Sequence, residues 1–114
     1  MVVVDHFCGA GGESTGIVQA ADEAGLKIEL HAHNHWARAI ETHMANFPDA
    51  IHRQAEIEYL NPVECVRGQR VGLMWASPEC THHSVARGGR PCEDQSRATA
   101  RKVFAENEKE RGNE

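Results

Sequence analysis

Two short stretches of this sequence carry residue types that do chemistry. The run Asp5-His6-Phe7-Cys8-Gly9-Ala10-Gly11-Gly12 sets three glycines within four positions, directly after an apolar segment. Glycine tolerates positive φ and lets the backbone approach a bound molecule closely. Exposed N–H groups at the start of a following helix attract an anion or a carboxylate. The spacing is not the G-x-G-x-x-G of dinucleotide enzymes, because one glycine falls too early and the third is missing on time. That points away from NAD or FAD and toward another adenine-bearing cofactor. A plain tight turn is the simpler alternative. The second stretch, Met74 to Ser84, places Cys80 just beyond an apolar run, with Pro78 fixing the backbone before it. A thiolate is a strong nucleophile, and His82, His83, Arg87 or Arg90 nearby would favour its formation. The plain alternative is a small core residue. Of Cys8, Cys65, Cys80 and Cys92, only Cys80 follows a proline at a strand's end.

These residues need elements that position them. Apolar runs alternate with helical patterns, which predicts α/β units on a parallel sheet. Met1–Phe7 reads as a continuous β-branched strand of the buried kind. The glycine turn Cys8–Gly12 follows, then a helix capped by Ser14, running to about Ala24 and stopped by Gly25. Leu26–Ala32 alternates as a second strand. Ala37, Ile40, Met44 and Phe47 recur at helical spacing until Pro48. Ile51–Ile57 is a weaker third strand. Asn61-Pro62-Val63-Glu64 carries a cap, an N1 proline and a glutamate for a short helix closed by Gly68. Val71–Ala76 is a fourth strand, broken by Ser77-Pro78. Residues 86–91 form a loop, and Gln95–Lys109 has helical character. Residues 1–105 are expected to form one domain, and 106–114 a charged, frayed tail. On this topology the glycine turn and Cys80 share one sheet edge.

Composition bounds the function. The chain has 114 residues, 40% hydrophobic and 25% charged, with a formal charge of −5. That balance suits a single soluble domain and supplies no basic footprint for gripping nucleic acid unaided. Met1–Val4 meets Asp5 at once, so a signal peptide or membrane span is not expected there. A cytoplasmic, reduced protein is the natural expectation, with cysteines acting as reagents or core fillers.

The glycine run, extended through Glu13-Ser14-Thr15-Gly16, resembles the first motif of DNA cytosine-5 methyltransferases, D-L-F-C-G-x-G-G-x-S-x-G, with His6 at the leucine. The stretch around Cys80 resembles that family's G-G-P-P-C-Q-x-F-S. Cys80 falls on the nucleophile and Ser84 on the final serine, while Ser77-Pro78-Glu79, Thr81 and His83 depart from the pattern. The resemblance covers about residues 2–101. It implies a Rossmann-like S-adenosylmethionine-dependent methyltransferase fold, a partial doubly wound parallel sheet, and only the N-terminal part of the catalytic domain. The implied cofactor is S-adenosylmethionine, held by Phe7, Cys8, Gly9, Ala10, Gly11, Gly12 and Pro78. Asn34 then stands where the family carries a ribose-binding acid, and His35 where a side chain stacks on adenine, with Trp36 a neighbouring candidate or a helix-start packing residue. Glu56 matches the acid that accepts the adenine amino group, or is an ordinary strand-end glutamate. Arg97 matches a D-x-R arginine, or is a solvated helix-end residue.

The implied substrate is DNA with its target cytosine flipped out of the duplex. Cys80 would add to carbon 6, carbon 5 would take the methyl group, and loss of the ring proton would release the enzyme. The family's E-N-V and Q-x-R-x-R elements and its target-recognition domain do not occur in this sequence. A missing C-terminal half or a complementing chain is therefore an expected partner, and no membrane is. Two rival readings are a non-catalytic remnant or interaction module, and a zinc site built from Cys80, His82, His83 and Cys92. No paired C-x-x-C supports the latter, so no metal is expected.

Overall fold

The structure, a computed structural model, describes residues 1–78. Strand β1 (Val2–His6) is followed by helix α1 (Gly12–Ala24), strand β2 (Glu29–Asn34), helix α2 (Ala37–Asn46) and strand β3 (Ile51–Gln54). A 3-10 turn (Ile57–Tyr59), the short helix α3 (Pro62–Cys65) and strand β4 (Val71–Ala76) complete the described chain. Every strand pair is parallel, in the order β3-β2-β1-β4. The chain winds outward from β1 through β2 to β3, then returns past β1 to lay down β4. That reversal leaves a crevice between the carboxyl ends of β1 and β4, where open α/β sheets bind their ligands.

Side chains alternate between two covered faces. Val3 and Asp5 face the layer of α1 and α2, whereas Val4 and His6 face Leu60, Pro62, Cys65 and Val66. Coverage on both sides explains why β1 is buried at all five positions and reads as an uninterrupted run. One core cluster joins Val2, Val4 and Val66 with Val71 and Met74; the other joins Cys8, Ala32 and Ile40. Asn61 caps α3 as its sequence predicts, its Oδ1 accepting the N–H groups of Val63 and Glu64. Gly25 ends α1 at φ 68°.

Four local expectations are corrected. Ser14 does not cap α1: Gly11 takes that position without a side-chain bond, and the Ser14 hydroxyl turns inward. Strand β2 begins at Glu29 rather than Leu26. It is buried on both faces, so histidines 31 and 33 lie inside with Leu30 and Ala32. On α2 the buried stripe is Ala39, Ile40 and His43, while Met44 is exposed. Strand β3 stops at Gln54, and Ile57 opens the 3-10 turn instead. The expected loop at 86–91, the helix at 95–109 and the tail at 106–114 lie outside the described residues.

The α1 face of the sheet carries an apolar groove of about 560 Å³ lined by Met1, Val3, Ile17, Leu26, Leu73 and Trp75 among others. Among the described residues β4 is an edge strand. No helix among them is long and apolar enough to cross a membrane.

Candidate functional site

The site is built where β1 ends. Phe7 leaves the strand at φ 60°, a left-handed conformation that L side chains rarely adopt and that clusters at ligand sites. Gly9 (φ 53°) and Gly11 (φ 115°) continue the turn in the same region, where glycine is at ease. The turn is pinned by the Cys8 N–H donating to His33 O at 3.0 Å and the Gly11 N–H donating to Cys8 O at 3.1 Å. Among the described residues the N–H groups of Gly9 and Ala10 find no such partner, which leaves them for a ligand.

Facing the turn across an open cleft of about 520 Å³ are Asn34, His35 and Trp36, then Arg38, Ala39 and Thr42 of α2, with Ser77 beyond β4. This volume suits a nucleoside-sized ligand. The walls are apolar at Phe7, Ala10, Trp36 and Ala39, with a few polar groups between them, the usual make-up of a cofactor site. Asn34 Oδ1 accepts the Trp36 N–H at 2.9 Å and so fixes the turn into α2. Its amide N–H2 is then the end available to a ligand hydroxyl. Trp36 is 60% exposed, so it is a surface ring at the cleft's lip rather than helix packing.

The cleft therefore gathers Phe7, Gly9, Ala10, Asn34 and His35 of the predicted set. Glu56 lines a smaller adjoining hollow with Phe7, Asn34, His35 and Ile57. Gly12 is the first helical residue and has open space beside it, whereas Gly11 is buried under Phe47. Cys8 contributes backbone only. Its side chain is fully buried against Ala32 and Ile40, and burial, with Asp5 nearby, pushes the thiol up to about 12. Pro78 is half-buried and does not line the cleft; Ser77 does. Cys80, Ser84 and Arg97, like the zinc candidates His82, His83 and Cys92, lie outside the described residues.

Sequence reading missed Arg38, Thr42 and Ser77. The signal was present: positions 38, 39 and 42 share one face of the helix that follows the predicted ligand residue His35. It also missed a buried polar series under the turn. Ser14 Oγ donates to Asp5 Oδ2 at 2.5 Å and lies 2.7 Å from His43 Nε2, and His43 Nδ1 lies 2.7 Å from His52 Nε2. Burial raises the Asp5 carboxyl above its ordinary range, against the Ser14 bond. Burial, then the neighbouring His52, lowers His43 to about 4. On the opposite face His6 and His33, register partners on β1 and β2, bring their Nδ1 atoms to 3.1 Å. Burial, then His6, lowers His33 to about 3. Among the described residues no group of three metal-binding side chains occurs.

Parallel strands, a switch point and a glycine turn between β1 and α1 define an α/β protein of the open, parallel-sheet class. Comparison with known proteins narrows the class. No family model matches the chain. It is 33% identical over 90 residues to the type II methyltransferase M.AgeI of Thalassovita gelatinovora, a match covering 75% of this chain and 20% of that protein. It also matches, at a TM-score of 0.68 and 27% identity, the crystal structure of a protein described as a DNA modification methyltransferase encoded within a prophage (E. coli). That match covers 91% of this chain and 27% of the other. The chain is a relative of the DNA methyltransferases and has their Rossmann-like fold. It spans about a fifth of the first protein and about a quarter of the second.

Proposed function

We propose that the chain is the cofactor-binding part of a DNA cytosine-5 methyltransferase, with S-adenosylmethionine in the cleft and Cys80 as the nucleophile toward cytosine. One observation carries the reading: Phe7, Gly9 and Ala10 at the end of β1 face the same cleft as Ser77 at the end of β4. Cys80 follows Ser77 by three residues in the sequence.

The residues fit the cofactor. Free N–H groups of Gly9 and Ala10 suit its carboxylate, the Asn34 amide a ribose hydroxyl, and His35 or Trp36 the adenine face, with Glu56 taking the adenine amino group. When bound, S-adenosylmethionine supplies an electrophilic methyl group. Phe7 and Ala39 supply apolar walls beside it. Cys80 then forms a bond to carbon 6 of a flipped cytosine, which makes carbon 5 nucleophilic. Loss of the carbon 5 proton after methylation restores the thiolate and the aromatic ring. A soluble cytoplasmic protein of a restriction–modification pair fits this chemistry.

The test is covalent trapping on DNA containing 5-fluorocytosine, with a chain carrying the remaining catalytic domain supplied and S-adenosylmethionine present. Trapping is expected with the native chain and absent with Cys80→Ala. Trapping that survives Cys80→Ala would sink the assignment. A second reading, a non-catalytic remnant or interaction module, is favoured by the formal charge of −5, which supplies no basic surface for gripping DNA. Calorimetric binding of S-adenosylmethionine without methyl transfer, with or without the complementing chain, would decide for it.

A further inference from the structure

The buried polar series beneath the glycine turn takes one residue from each of four of the first five elements: Asp5 from β1, Ser14 from α1, His43 from α2 and His52 from β3. Its three links are short, and Asp5, Ser14 and His43 are 0% exposed. With Asp5 ionised the donors order themselves. The Ser14 hydroxyl donates to Asp5, His43 Nε2–H donates to Ser14 Oγ, and His52 Nε2–H donates to His43 Nδ1. Buried hydrogen bonds of this kind specify one geometry, because each broken link strands a polar group away from water.

The series also has a place in the site. Ser14 lies in the first turn of α1, three residues past Gly11, and His43 lies one residue past Thr42 at the cleft wall. The His43 ring stacks 4.7 Å from that of Phe47, the ring that packs on Gly11. The two cleft walls, the glycine turn and α2, are thus tied from beneath.

We propose that Ser14 and His43 are positioning residues: through the Asp5–Ser14–His43–His52 series they hold the glycine turn at its working distance from α2. The consequence for ligand binding rests on the reading of the cleft as the S-adenosylmethionine site; the coupling between the elements does not.

The experiment uses the full 114-residue chain and perturbs the series from its outer end, at half-buried His52. His52→Leu removes the donor to His43, whereas His52→Gln keeps an N–H2 donor there. Amide resonances of Gly9, Gly11 and Gly12 are followed by NMR without ligand, and S-adenosylmethionine affinity by calorimetry. Expected are displaced glycine resonances and roughly tenfold weaker binding in His52→Leu, both restored toward native values in His52→Gln. Ser14→Ala, cutting the middle link, should displace the same resonances further. Glycine resonances that stay put in both His52→Leu and Ser14→Ala would overturn the proposal. Native protein that binds no S-adenosylmethionine while its resonances respond would instead overturn the functional reading and leave the coupling established.

Discussion

Gly11 and Phe47 approach so closely that a Cβ on the glycine would stand 2.5 Å from Cε2 of the ring. Gly12, one residue on, has open space where its Cβ would be. The neighbours therefore separate folding from binding. Gly11→Ala adds a steric conflict to a φ of 115° and should destabilise by about 1–3 kcal/mol. Gly12→Ala enters a helix without obstruction and should stabilise by up to about 1 kcal/mol, while weakening S-adenosylmethionine binding if the turn holds that ligand. Denaturant melts and calorimetry of both variants check this; equal melts would contradict the packing argument.

Asn34 keeps one side-chain oxygen on the Trp36 N–H. Asn34→Asp preserves that acceptor and turns the other end from donor to charged acceptor. Ribose hydroxyls donate well to a carboxylate, and charge-assisted bonds are roughly twice as strong as neutral ones. Affinity for S-adenosylmethionine should rise on the order of tenfold. An unchanged or lower affinity would remove Asn34 from the ribose position.

Cys8 and Cys65 are both buried and outside any disulfide among the described residues, and burial pushes the Cys8 thiol up to about 12. Without thiolate or access, Cys8 should resist alkylation at pH 8 in the folded protein and react once denatured. Peptide mass spectrometry gives the answer. Rapid native-state labelling of Cys8 would mean that its side chain is not in the core.

Acid should destabilise the fold in a defined window. Unfolded histidines take a proton near 6.5, whereas His43 resists until about 4 and His33 until about 3. The unfolded state therefore binds more protons as pH falls, so stability is full above about 6.5 and declines below it. Asp5, raised by burial, acts in the opposite sense over its own range and offsets part of the loss. A melting temperature lower by roughly several °C at pH 5 than at pH 7 is expected. A flat profile would mean that these rings are solvated.

The fold was legible because buried parallel strands and helix punctuation act locally. The valines of β1, Gly25 after α1 and Asn61-Pro62 before α3 all behave as their types dictate. What escaped depends on partners far away in sequence. Ser14 reads as a cap until Asp5 and His43 meet it inside. His31 and His33 read as polar until the sheet is covered on both faces. Cys8 belongs to the motif, yet its thiol points away from the cleft into the core. Around the cleft, the glycine turn was legible from type and spacing, whereas Asn34 and His35 came only from the family resemblance. Arg38 and Thr42 required knowing which face of α2 meets the turn.

Phe7 sets two demands on the chain against each other. A bulky side chain at φ 60° is a conformation the unfolded chain avoids. Phe7→Gly would release that strain while adding glycine's own flexibility, two effects each on the order of 1 kcal/mol and opposite in sign. The melt of such a variant should barely move, although a large aromatic ring has gone. Its cleft would lose one wall, and with it the affinity for an adenine ligand. Phenylalanine at this position furnishes the cleft with a wall and the fold with no net stability.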